Sequence, residues 1–252
     1  DSLTDQAKLT ITRDILSKFN LVTVTPQVVD PQIIRIIAKT IVQYDASKLT
    51  TSKEVLEAKV LALYNVLNTS YIGDFLESFS VSKLTQEILA LDKSIVSANP
   101  RINLRFDVNA VNRVLDNSSF SFNNRLFTAP FAGEASVGGV INSTQFKRSG
   151  RTTFSKFMDD GKGVLRLVDV IGDDNIIVNT TAGTVDYETG EINVSDFDPE
   201  DGKIGFIAIP DSFDVLTAGN YLLQISVGDS TVTAIDKDDK ASLNLFNVSR
   251  AK

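Results

Sequence analysis

ESFSVSKLTQEILALDKSIVSANP at residues 77–100 and TPQVVDPQIIRIIAKTIVQY at residues 25–44 decide how this chain is read. Pro26 interrupts the alternating run Leu21–Thr25, and Asp30-Pro31 signals a turn or bulge before the β-branched run Ile33–Tyr44. In a strand, Ile34, Ile36, Ala38 and Thr40 share one face, and Ile33, Arg35, Ile37, Lys39 and Ile41 the other. Both faces carry apolar residues, which predicts a central strand or one covered on both sides. Thr51 and Glu54 form a capping box for the next helix, whose inner stripe is Leu56, Val60, Leu63, Leu67 and Tyr71, with Gly73 ending it. Ser80 or Ser82 opens a shorter helix with Leu84, Ile88 and Leu91 facing inward. Ser94–Ser97 and Ile102–Val108 then read as a hairpin turning at Asn99-Pro100.

Working outward, Thr4 or Ser2 caps a first helix with Ala7, Ile11, Ile15 and Phe19 on one face. No strand precedes that helix. A ferredoxin-like sandwich would need one more upstream of Asp1, so the native chain is expected to extend N-terminally, and the start without Met agrees. Beyond Ala110–Ser119 the helical period disappears. Phe120 and Phe122 alternate with Ser, and Val164–Val170, Ile204–Ile209 and Tyr221–Val227 read as strands. Glu188-Thr189-Gly190-Glu191 reads as a hairpin turn in which Gly190 takes the left-handed position. The expected fold is α+β: a ferredoxin-like α/β sandwich lacking its first strand over residues 1–109, a linker over 110–119, and an antiparallel β-rich domain over 120–252.

Pro26, Asp30 and Pro31, followed by Phe79, Ser82, Lys83, Leu84, Ile88, Asp92, Ser94, Ile95 and Ser97, form a pattern that resembles the baseplate wedge proteins of contractile-tailed bacteriophages, within the baseplate J-like family. GTVDYETGEINVSDF (183–197) and IGFIAIPDSFDVL (204–216) resemble the C-terminal β region of the same proteins. The resemblance implies a C-terminal fragment of a structural virion protein in the tail baseplate, assembled in the host cytoplasm. It implies self-association as a dimer and ring, contacts with other wedge proteins, and no enzymatic activity.

Composition narrows the chemistry independently. With no His and no Cys among 252 residues, imidazole bases, thiol nucleophiles, disulfides and His- or Cys-based metal sites are excluded. A net charge of −7 argues against nucleic acid as the main partner; Arg101, Arg105, Lys147, Arg148 and Arg151 are spaced loosely enough to read as a solvated face, with a local basic patch the alternative. No apolar run approaches the roughly 18 residues of a membrane span.

Acidic clusters are the remaining candidates for chemistry. Asp196, Asp198, Glu200 and Asp201 before Gly202 depart from calcium-loop spacing, and Asp236, Asp238 and Asp239 read as a solvated loop. Asp159-Asp160 and Asp173-Asp174 sit beside Gly or Asn and read as turn residues. Gly133–Gly139 lacks the Lys-Ser/Thr of a phosphate loop, and Ser82 and Lys83 point about 100° apart on a helix. No catalytic, metal or cofactor residue is assigned. The rival reading is a tail-associated, carboxylate-dependent glycan hydrolase or a glycan-binding module. Phe120, Phe122, Phe127, Phe131 and Lys83 are the interface candidates, with core packing the alternative for the Phe residues.

Overall fold

The computed structural model describes residues 4–19, 28, 30–70, 72, 77–110, 118–128, 140–195, 199–200, 202–217 and 221–239. In the first half lie α1 (Asp5–Asp14), a 3-10 turn (Leu16–Phe19), β1 (Gln32–Tyr44), α2 (Lys53–Ser70), β2 (Ser78–Ser80), α3 (Val81–Leu91) and β3 (Ile95–Ala110). The second half is made of strands: β4 (Ser118–Ser121), β5 (Asn142–Ser143), β6 (Phe146–Lys147), β7 (Phe154–Asp159), β8 (Val164–Ile171) and β9 (Asp174–Asp186). They are followed by β10 (Glu191–Val194), β11 (Gly202–Ala208), β12 (Asp214–Leu216), β13 (Tyr221–Ile225) and β14 (Thr231–Asp236). The protein is therefore mixed α and β with one dominant sheet, as the α+β expectation required.

β1 is central. It pairs antiparallel with β3, while β13 and then β14 run parallel along its other edge. Its even face, Ile34, Ile36, Ala38, Thr40 and Val42, is buried as the alternation predicts. On that face lies α2, whose Tyr64 hydroxyl shares a 2.6 Å hydrogen bond with Thr40. Burial pushes the Tyr64 phenol up to about 12, partly offset by the Thr40 hydroxyl.

Several expectations need correction. Ser52, not Thr51, caps α2, accepting from Val55 N at 3.4 Å. Tyr64, not Leu63, completes the buried stripe with Leu56, Val60 and Leu67; Leu63 is only partly buried. Leu91 is likewise partly buried, with Val81 beside Leu84 and Ile88 on the inner face of α3. α1 is capped by Thr4, as expected, yet buries no residue, and Ile15 is 53% exposed. Leu21–Thr25, Pro26, Tyr71 and Gly73 fall outside the described residues.

The expected turn at Asn99-Pro100 is absent: β3 is one strand of 16 residues, with Pro100 opposite Thr40. Its tolerance follows from the ladder. Ile36 and Tyr44 accept from Ser226 and Lys237, so even-numbered β1 residues turn their backbone polar groups away from β3. Pro100, opposite Thr40, therefore turns its nitrogen away from β1. On that flank β11 reaches only from Leu104 to Ala110, so the missing N–H breaks no strand pairing.

The sheet draws its strands from both halves of the chain. Its order is β13-β1-β3-β11-β5-β7-β8-β9-β10-β4, and one hydrophobic cluster holds residues of both halves. The edge of β1 away from β3 is occupied by β13 and β14, which come from the C-terminal part of the chain. The far end of the sheet curls back: Phe120, beside β10 in the ladder, stacks on Phe106 of β3 at 4.8 Å and meets Phe206 of β11 at 4.9 Å. Phe206, Phe157 and Phe146 continue the stack. Leu126 then bridges Pro210 and Phe127 N bonds Ile209 O at 2.9 Å, closing the curl beside β11.

Candidate interaction surfaces

The Phe candidates separate. Phe120 and Phe122 are 6% and 0% exposed and belong to the core, because their rings pack on Phe106 and Phe206. Phe127 remains partly exposed, and Phe131 lies outside the described residues. Sequence reading missed its neighbours: Ile209, Phe213 and Leu216 are 41%, 75% and 59% exposed. Backbone bonds tie these segments together. Arg125 O accepts from Asp211 N, and the Asn124 amide bonds both N and O of Leu216. Phe213 O in turn accepts from Val81 N, so the first turn of α3, carrying half-buried Lys83, abuts the Phe213 loop. Arg125 lies at the rim, paired with Glu188 at 3.1 Å and Asp211 at 3.4 Å. Four exposed apolar side chains with a polar rim have the anatomy of a protein contact. The only signal for them in the sequence was apolar residues inside the turn-forming run Ile209–Leu216.

Among the described residues the candidate carboxylates hold turns and strand ends. Asp159, expected in a turn, is a strand end 1% exposed; it accepts from the Tyr187 hydroxyl at 2.6 Å and Ile141 N at 2.8 Å. Burial and that carboxylate together push the Tyr187 phenol far up. Asp160 does hold a turn, accepting from Lys162 N and Val164 N, while also being buried. Asp173 and Asp174 lie exposed at the β8–β9 turn. Asp196, Asp198, Asp201 and Gly133–Gly139 fall outside the described residues, and Asp236 forms a turn with Asp238 N. Among the described residues no acidic cluster could hold a metal ion.

Charge elsewhere serves as clasps. Lys237 at 2.8 Å, with the Ser47 hydroxyl and N–H, holds the Asp45 carboxyl well below the usual range, fastening the end of β14 to that of β1. Lys59, then Ser94, hold the Asp92 carboxyl down to about 2. Arg148, read from the sequence as part of a solvated face with a local basic patch the alternative, is forked onto Asp169 at 2.8 and 3.0 Å and bonded to Ser155. Arg105 bonds Asp107 at 2.7 Å and Asp229 at 3.2 Å, with Arg35 and Lys203 also on Asp107. Burial alone would raise the Asp107 carboxyl, but Arg105, Lys203 and Arg35 leave it lowered.

Among the described residues this α+β chain exposes four apolar side chains beside a polar rim, and its buried carboxylates Asp45 and Asp159 act as clasps. Residues 32–107, from β1 through most of β3, match the family model described as baseplate structural protein gp6, C-terminal domain III. Over that span the chain is similar to a phage baseplate structural domain. The match supports a structural role, contact with other baseplate proteins and a place in the virion tail. A comparison with curated proteins gives no match. Among the described residues, no helix is long and apolar enough to cross a membrane.

Proposed function

We propose that this chain is a structural part of a baseplate wedge in a contractile phage tail, catalytically silent, acting through protein contacts alone. The family match over residues 32–107 carries this reading. The finer organisation goes with it: a ferredoxin-like arrangement in the first half, assembly in the host cytoplasm, pairing as a dimer, and ring closure with other wedge proteins rather than with nucleic acid or membrane. A closed ring demands at least two contact surfaces per copy. The exposed Phe127, Ile209, Phe213 and Leu216 support the first of them, with Lys83 at its margin, and this replaces a surface centred on Phe120 and Phe122. Interrupting the chain in its phage tests the role. Electron micrographs of the lysate should lack assembled baseplates, whereas normal contractile tails would refute it.

A further inference from the structure

The odd face of the central sheet is the one α2 leaves uncovered, and the register gathers cations on it. Arg35 stands directly opposite Arg105, and Lys39 opposite Arg101, on neighbouring strands. Lys203 joins them from β11. Like charges directly opposite one another in a ladder destabilise it. Asp107 and Asp229 offset the first pair. The second pair has no such relief: Lys39 and Arg101 are both exposed, and among the described residues neither has a carboxylate at ion-pair distance. Their β14 neighbour at this level is Thr231, opposite Lys39, and Thr233 lies opposite Ile41. The face thus concentrates positive charge on a chain whose net charge is −7, which leaves the remaining surface more acidic still.

We infer that the face built by Arg35, Lys39, Arg101, Arg105 and Lys203 is a second assembly surface, which receives the acidic exterior of a neighbouring copy of this chain. It deepens the proposed wedge role and rests on it. The contact is heterologous, basic face to acidic flank, so it continues from copy to copy, whereas the apolar patch joins two copies. The unrelieved Lys39–Arg101 pair is where the neighbour's carboxylates enter.

Sedimentation of the 252-residue chain at about 50 and about 500 mM salt separates the two contacts, because screening weakens exposed charge pairs and spares apolar ones. The parent should form species larger than a dimer at low salt and only the dimer at high salt. The K39S/R101S double variant should need about tenfold more protein to pass the dimer at low salt. Its dimer should persist, and it should melt at or above the parent temperature, since a repulsion has been removed. Should it unfold, R101Q alone is the variant to read, with the same expectation in direction. Large species unchanged in the variant, or absent from the parent at low salt, would overturn the inference while leaving the wedge role to its own test. A short DNA duplex bound by the parent and released by the variant would overturn it too, assigning the face to phosphate.

Discussion

At the scale of single residues, helical spacing leaves a choice that only packing resolves. From Val60, both the third and the fourth residue onward lie on the same side of a helix, so Leu63 and Tyr64 competed for the inner stripe. Tyr64 won because Thr40 meets its hydroxyl across the sheet, a partner far away in sequence. Leu56→Ala should therefore cost about 2–5 kcal/mol and Leu63→Ala clearly less. Urea titration of both variants checks the order, and equal losses would contradict it. Gly190 was legible as a left-handed turn residue, and its φ is 71°. An added Cβ would also meet Asn124 O at 2.5 Å, so Gly190→Ala should cost about 1–3 kcal/mol. Asp159 was misread because adjacency to Gly161 says nothing about Tyr187 or Ile141. Asp159→Asn should lower stability, and any glycan hydrolysis by the parent, lost in that variant, would revive the enzymatic reading.

At the scale of elements, the faces of β1 were legible and its neighbours were not. Alternation reveals which residues share a face, but not which strands lie at the edges, and β13 and β14 reach β1 from the other end of the chain. The same limit explains Pro100, harmless only because β11 ends before it. A helix then guards the new edge. Asn68 on α2 bonds Ile225 N at 2.7 Å and Ile225 O at 2.9 Å, and Glu57 accepts from Ala234 N at 2.8 Å. Both side chains occupy backbone groups that another strand would otherwise pair with. Asn68→Ala should cost about 1–3 kcal/mol and increase aggregation at high protein concentration. A variant as stable and as soluble as the parent would show the edge needs no cover. The α2–α3 layer adds a pH dependence through Asp92. Its folded value of about 2 lies below the ordinary 3.8, so its contribution is present above that value and lost as pH falls toward 2. Lys59→Met should flatten the acid limb of the stability profile, and an unaltered limb would deny the clasp.

At the scale of the whole molecule, the curl of the sheet converts most of the Phe-rich sequence into core and exposes a different set of apolar residues on the loop after β11. Charge follows a similar rule: Arg101 and Arg105 were visible as a loose pair, and the register added Arg35, Lys39 and Lys203. Among the described residues an exposed apolar set and a basic sheet face lie apart, which suits the proposed component held on two sides. Sedimentation of Phe213→Ser at micromolar concentration and about 500 mM salt should give a monomer where the parent gives a dimer. A dimeric variant would move the first contact elsewhere. In the proposed role the protein is a building part of the tail. Quantitative mass spectrometry of purified virions from the phage that encodes it addresses this most directly. Peptides from residues 1–252 should be recovered in a fixed ratio to the other baseplate proteins, and should remain after high-salt washing. Their absence from virions, with the protein left in the soluble lysate, would contradict the structural role.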